Sequence, residues 1–334
     1  MASPLTSADS RPVDPIVVGI HSGPRRSETI FDRSFRGLCY GSALLTLVLM
    51  AGIVYQIGYR ALPAVERYGW GFITSTRWDP AAEEFGVLPE IWGTFYSSII
   101  ALGLAGFFGI SIAVLLSQDF LPPRVEGFFK HVIELLAAIP SVVYGLWGIF
   151  VVIPWLRPIA GWLHEYLGWI PLFGTSLSGP GLLPASLVLA IMILPTVSAI
   201  SRDALKAVPI RLKEAAFGLG ATRWETILGV TLPTASRGLF GALVLGFGRA
   251  LGETMALAML VGNSNQLSIS LFSPANTLAA LLANQFPEAG EREEPVLLYA
   301  ALVLMAMTIA VNLIGAIILQ QTSARFGGVL DEQR

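Results

Sequence analysis

The chain has 334 residues, 54% of them apolar and only 13% charged, where a soluble protein carries about 25% charged residues, and its formal net charge is −2. That composition excludes an ordinary soluble domain and points to an integral membrane protein. The near-neutral balance offers no basic surface for nucleic acid.

Residues 1–36 are rich in Ser, Pro, Asp and Arg and lack the apolar core of a cleavable signal peptide, so they read as a disordered cytoplasmic tail. Residues 37–59 hold no charge and are the first expected transmembrane helix, since crossing a hydrocarbon core takes about 20 apolar residues. Cys39, the sole cysteine, lies there, which excludes an intramolecular disulfide and reads as a small apolar side chain. An extracytoplasmic loop, 60–90, follows with Asp79, Glu83, Glu84 and Glu90 read as solvated carboxylates. Charge-free runs at 91–118, 135–156, 182–201 and 295–324 give four more spans, and the apolar stretch 238–262, interrupted by charge, gives the sixth. The last residues, 321–334, are expected to form a cytoplasmic C-terminal tail.

With six spans and both termini on one side, the two tails and the loops 118–134 and 202–237 hold 15 of the 21 basic residues, which makes that side cytoplasmic. The opposite loops carry ten carboxylates and five arginines, and the acidic run "EAGEREE" (288–294) reads as solvated. Lys130, His131 and Glu134 read as a snorkelling cluster at the inner end of the third span. Pro140 and Pro195 each remove a backbone hydrogen bond, so bends are expected in the third and fourth spans. Two outer segments, 155–173 and 276–286, are too short to span and fit interfacial or re-entrant helices; His164, in the first, has no ligand partners nearby and reads as an interface residue.

The longest inner loop reads "RDALKAVPIRLKEAAFGLGATRWETILGVTLPTASR" (202–237). Leu205, Val208, Leu212, Ala216 and Leu219, then Trp224, Ile227, Leu228 and Leu232, recur at helical spacing on either side of Gly220. Two short amphipathic helices are expected, with Thr222 and Glu225 forming a capping box for the second. Such a hairpin either docks another protein or packs on its own transmembrane helices.

The charge-interrupted apolar stretch contains "GRALGETMA" (248–256), where Arg249 and Glu253 stand four residues apart on the expected helix and so share a face. An ionisable group at the bilayer centre costs roughly 3 to over 10 kcal/mol, so such residues face the bundle interior and find partners. Mutual pairing explains how the two coexist, either as a register-fixing ion pair or as part of a pathway. Gly248 and Gly252 offer a small-residue surface for close helix approach. Thr254 and Ser141 are hydroxyls able to donate to a passing oxyanion or to their own backbone.

Glu214-Ala215-Ala216, Gly220 six residues after the glutamate, and Leu232-Pro233 resemble the EAA signature of MetI-like permease subunits of bacterial ABC importers, with Val230 where Ile is usual. "IPSVVYGLWGIFVVIP" (139–154), "ILPTVSAISRDAL" (193–205), "ANQFPEA" (283–289) and "GRALGETMA" narrow the resemblance to PstC-type subunits of the phosphate importer, over about residues 90–320. The resemblance implies an all-α integral membrane protein with the six-transmembrane-helix type I ABC importer permease fold, its core at 91–320. It also implies a coupling-helix hairpin that docks a cytoplasmic ATPase dimer through Glu214, Ala215, Ala216, Gly220, Leu232 and Pro233.

Further implied partners are a second homologous, PstA-type permease subunit and an extracytoplasmic phosphate-binding protein, in a bacterial inner membrane with both termini cytoplasmic. Arg249, Glu253, Thr254 and Ser141 are then candidates for the phosphate pathway, because guanidinium donors match phosphate oxygens bidentately. No Gly-Lys pair occurs, hence no P-loop: no cofactor is expected on this chain, and ATP belongs to the partner. Other readings are a proton-coupled secondary anion carrier using Glu253 or Glu134, and a membrane scaffold or sensor docking a cytoplasmic partner. An enzyme is not expected, since neither H-E-x-x-H nor G-x-S-x-G occurs.

Overall fold

The structure is a computed structural model that describes the backbone of residues 26–331 and the side chains of residues 33–321. Residues 1–25 of the expected tail, and residues 332–334, lie outside the described residues. The chain divides into two compact units, Met1–Tyr55 and Gln56–Arg334. Helix α1 (Arg26–Tyr68) opens within the segment read as a disordered tail, so residues 26–36 are helical. In the first unit every described side chain from Arg33 to Tyr55 is exposed, Cys39 included.

In the second unit, α2 (Gly71–Thr74) and the paired strands β1 (Trp78–Asp79) and β2 (Glu84–Phe85) lead into α3 (Leu88–Leu115). Then follow α4 (Pro123–Ala138), α5 (Ser141–Trp147), α6 (Ile153–Leu167), α7 (Leu182–Lys206), α8 (Ile210–Gly218), α9 (Arg223–Thr226), α10 (Leu232–Leu251), α11 (Met255–Leu260), α12 (Leu278–Gln285) and α13 (Glu294–Asp331). Among the described residues six helical stretches are long and apolar enough to cross a membrane: Arg33–Tyr68, Leu88–Leu115, Ser141–Leu167, Leu182–Lys206, Arg223–Leu251 and Glu294–Gln321. Their number and order match the five charge-free runs and the one stretch interrupted by charge. The helical C-terminal stretch extends to Asp331, into the segment expected as a tail.

Proline chemistry shifts two boundaries. Pro140 does not bend a continuous third span; it is the N-cap of α5, and Ile139 before it is extended (ψ 128°), because the proline ring disfavours the helical region for its predecessor. Lys130, His131 and Glu134 therefore belong to α4, a separate amphipathic helix with no fully buried residue. The third span runs on through the segment read as an interfacial helix, to Leu167, by way of a π-helical stretch, Gly148–Val152. A second π-helical stretch, Ile227–Thr231, joins α9 to α10. Each stretch ends two residues before a proline, Pro154 and Pro233, where a wider turn accommodates the ring that would otherwise strike the preceding carbonyl. Pro195 lies inside α7, which continues through it.

Helices α3, α7 and α10 form the centre through glycines that admit close approach. A Cβ on Gly109 would lie 3.0 Å from Val197 Cγ1, one on Gly246 2.7 Å from Val197 Cγ2, and one on Gly106 2.9 Å from Leu243 Cδ2. The largest buried cluster joins α3, α5, α6, α7 and α11, and includes Leu189, Ile193, Leu257 and Leu260. A second cluster gathers Phe72, Phe85, Leu278, Leu281 and Leu297, so α12 is enclosed at the end of the bundle opposite the α8–α9 hairpin. The interfacial or re-entrant helix expected at 276–286 is thus a buried short helix.

Candidate functional site

The stretch around "GRALGETMA" is not one helix. α10 stops at Leu251, Gly252 takes φ −93°, ψ 0°, and α11 starts at Met255, so the expected same-face pairing of Arg249 with Glu253 is absent. The break is fixed by packing beyond it. The bare Gly145 lets Met259 Sδ come within 2.7 Å of where a Cβ would sit, and Gly148 does the same for Leu260 Cδ1 at 2.6 Å, which seats α11 directly on α5 and the π-helical turn.

Arg249 is exposed on α10, and its Nη1 donates to Thr196 Oγ1 on α7 at 3.1 Å. Among the described residues no carboxylate lies within ion-pair distance of it. Glu253 turns the other way: its Oε1 accepts from the Ala256 N–H at 3.5 Å, at the first turn of α11. Thr254 Oγ1 donates to Gly252 O at 3.2 Å, a bond to its own backbone. Ser141 opens α5, half-buried, one turn before Tyr144, whose hydroxyl donates to Leu136 O at 2.8 Å. Arg249, Glu253 and Thr254 thus flank a single break, while Ser141 sits on the helix against which α11 packs. Gly248 packs as expected, its missing side chain meeting Asn312 of α13, whereas Gly252 meets only its own helix.

The hairpin forms as its sequence demands. α8 ends at Gly218, Gly220 takes φ +89°, a region open to glycine, and Thr222 and Glu225 make the reciprocal capping box. Ala216 is buried inward, while Glu214 and Ala215 are exposed. Leu219 (91% exposed), Trp224 and Leu228 stand outward, an apolar crown that its own transmembrane helices leave uncovered. Leu232 and Pro233 lead from the hairpin into α10, the helix that carries Arg249.

At the opposite end several charges are paired. Arg60 pairs with Glu294 and Arg77 with Glu84, each at 2.9 Å, and Glu83 takes both Arg67 and, at 2.9 Å, Arg292. The hydrogen bond from Arg67 chiefly holds the Glu83 carboxyl below the usual carboxylate range. His164 Nδ1 donates to Phe173 O at 2.7 Å.

Glu90 departs from the expected solvated carboxylate. It lies in the first turn of α3, fully buried, with Oε1 accepting from Asn276 Nδ2 at 3.4 Å and Oε2 without a partner. Leu278 N–H donates to Thr94 Oγ1 at 3.0 Å, and a Cβ on Gly93 would overlap the Asn276 carbonyl oxygen. Sequence reasoning missed both Thr196 and this junction. A helix start, Pro89-Glu90, was there to be read, but the partners lie far along the chain.

Residues 105–326 match the family described as the binding-protein-dependent transport system inner membrane component. The chain belongs to this permease family. It is 38% identical to the phosphate transport system permease protein PstC of Mesorhizobium japonicum over 308 residues, 90% of this chain and 94% of that one. To the protein of the same name in Haemophilus influenzae it is 40% identical, over 85% of this chain and 92% of that one. Among solved structures, a bacterial alginate ABC transporter in complex with its periplasmic protein superposes with TM-score 0.59 at 16% identity, over 87% of this permease and 97% of that chain. The MetNI methionine ABC transporter gives 0.52 at 17% identity, over 70% and 95%, so the fold is that of ABC importer permeases. The permease is a multi-pass inner membrane protein.

Proposed function

We propose that this permease forms half of the pathway of an ATP-driven importer of inorganic phosphate. The observation that carries the reading is Arg249: a guanidinium in a membrane-spanning helix, exposed beside a helix break and held by one neutral hydroxyl. An intramembrane charge without a carboxylate partner calls for an anion from outside the chain. A guanidinium has five donors in a planar fork, so one bond to Thr196 leaves room for bidentate contact with a phosphate oxygen pair. The names of relatives at 38% and 40% identity support phosphate as that anion.

The apolar crown of Leu219, Trp224 and Leu228 is the docking surface for a cytoplasmic ATPase dimer, which binds the ATP; this chain takes no cofactor. Glu214, Ala215, Ala216, Gly220, Leu232 and Pro233 shape that surface and join it to α10. A sister permease subunit of the PstA type completes the pathway, and an extracytoplasmic phosphate-binding protein feeds it. Both termini are cytoplasmic, on the side of the basic loops. Alternating access then exposes the break at Gly252 to Thr254 to one side and the other, with Glu253, Thr254 and Ser141 around it.

The test is ATP-dependent uptake of radiolabelled phosphate into vesicles holding the complete complex. Arg249→Ala should lower uptake about a hundredfold, since truncating one side of a buried charge contact costs about 2–5 kcal/mol. Undiminished uptake by that variant would refute the pathway role. Uptake driven by a pH gradient without ATP would refute the ATP-driven reading.

A further inference from the structure

We infer that Thr196 is a second contact for the translocated oxyanion, acting together with Arg249; this rests on the proposed pathway role of Arg249. Hydroxyls in membrane helices usually give their proton to a carbonyl one turn back. In this permease Ser97, Ser111, Ser186 and Thr308 do so, to Gly93, Phe107, Leu182 and Leu304 at 2.7–2.8 Å.

Thr196 does not. Its oxygen accepts from Arg249 Nη1 at 3.1 Å, and among the described residues no acceptor takes its proton. The residue is half-buried in α7, directly after Pro195, and meets the guanidinium across the α7–α10 contact that Gly246 and Val197 bring close.

The chemistry of the pair suits a tetrahedral oxyanion. Arg249 supplies charged N–H donors, and Thr196 supplies a neutral O–H donor with no other claim on it. Before the anion arrives, the threonine oxygen satisfies one guanidinium donor. Once it arrives, both groups donate to it, and no side chain has to break a carboxylate salt bridge first. A hydroxyl also adds no charge, so the anion is held by two points without being bound too tightly to leave.

The experiment compares Thr196→Val, which keeps shape and removes the hydroxyl, with Thr196→Ser, which keeps the hydroxyl, in vesicles with the complete complex. The readout is radiolabelled phosphate moved per ATP hydrolysed, a ratio that a general folding defect does not change because both rates fall together. Thr196→Val should lower the ratio about tenfold, the worth of one hydrogen bond to a charged group, and Thr196→Ser should restore it. An unchanged ratio in Thr196→Val, or equal loss in both variants, would overturn the inference. Arg249→Ala in parallel separates the two levels: if it moves phosphate normally, the pathway reading itself fails, whereas if it is inactive and Thr196→Val is normal, only the role of Thr196 fails.

Discussion

Glu90 in α3 and Arg249 in α10 are both ionisable groups set in membrane-spanning helices, and their surroundings are opposite. Glu90 is wholly enclosed, fastened to Asn276 from a loop far along the chain and wedged where Gly93 leaves no space for a side chain. Arg249 is exposed beside a break and touches one hydroxyl. Enclosure makes the first a part of the scaffold; exposure keeps the second available to a visitor. Composition alone treats the two alike, and access separates them.

The largest blow to the enclosed region is Gly93→Ala. Its Cβ meets backbone, the Asn276 carbonyl, which cannot swing aside as a side-chain end would. Thermal unfolding of the purified complex should show destabilisation at the upper end of the about 1–3 kcal/mol typical of overpacking. A wild-type midpoint would mean that the loop before α12 is not anchored on α3. Glu90→Gln is milder, because an amide oxygen still accepts from Asn276. It should leave phosphate uptake within about twofold of wild type, a change of well under 1 kcal/mol, whereas Arg249→Ala should lower it about a hundredfold. Loss of uptake in a stable Glu90→Gln complex would break the contrast and bring the enclosed carboxyl into the transport cycle.

The smallest effect lies outside the membrane, at Glu83. Its carboxyl is held below the ordinary range by Arg67 first and Arg292 second. A depressed folded value means that the tie contributes above the unfolded value of about 4.3 and is lost only as pH falls through the lower folded value. The difference in unfolding midpoint between wild type and Glu83→Gln should therefore hold steady from about pH 7 to 5 and shrink in stronger acid. The group is half-exposed at the surface, where ion pairs are screened, so the difference is small. A difference that vanished at neutral pH would show that the pairing contributes nothing.

The six spans and the hairpin were legible because their signals are local. Charge-free runs mark five of the spans and an apolar stretch interrupted by charge marks the other, and Thr222 with Glu225 writes the capping box within four residues. Pro140 was misread for want of a neighbour rule: a proline after an amphipathic segment starts a new helix as readily as it bends an old one. The break after Leu251 carries no proline, and what stops α10 there is α11 settling on Gly145 and Gly148, a contact between distant segments. The same distance hid Glu90. Its loop-like context in sequence is undone by Asn276, which only the folded chain brings near. Thr196 was passed over because nothing in "ILPTVSAI" distinguishes it from a threonine bonded to its own helix.

The π-helical stretch Ile227–Thr231 lies between the hairpin and the helix that bears Arg249. An α-helix turns about 100° per residue, so a single residue absorbed in a widened turn resets the compass bearing of everything that follows. Pro233 stands just past that wider turn, and the turn, like the indexing pin of a shaft, sets the azimuth at which α10 presents the Arg249 guanidinium to α7.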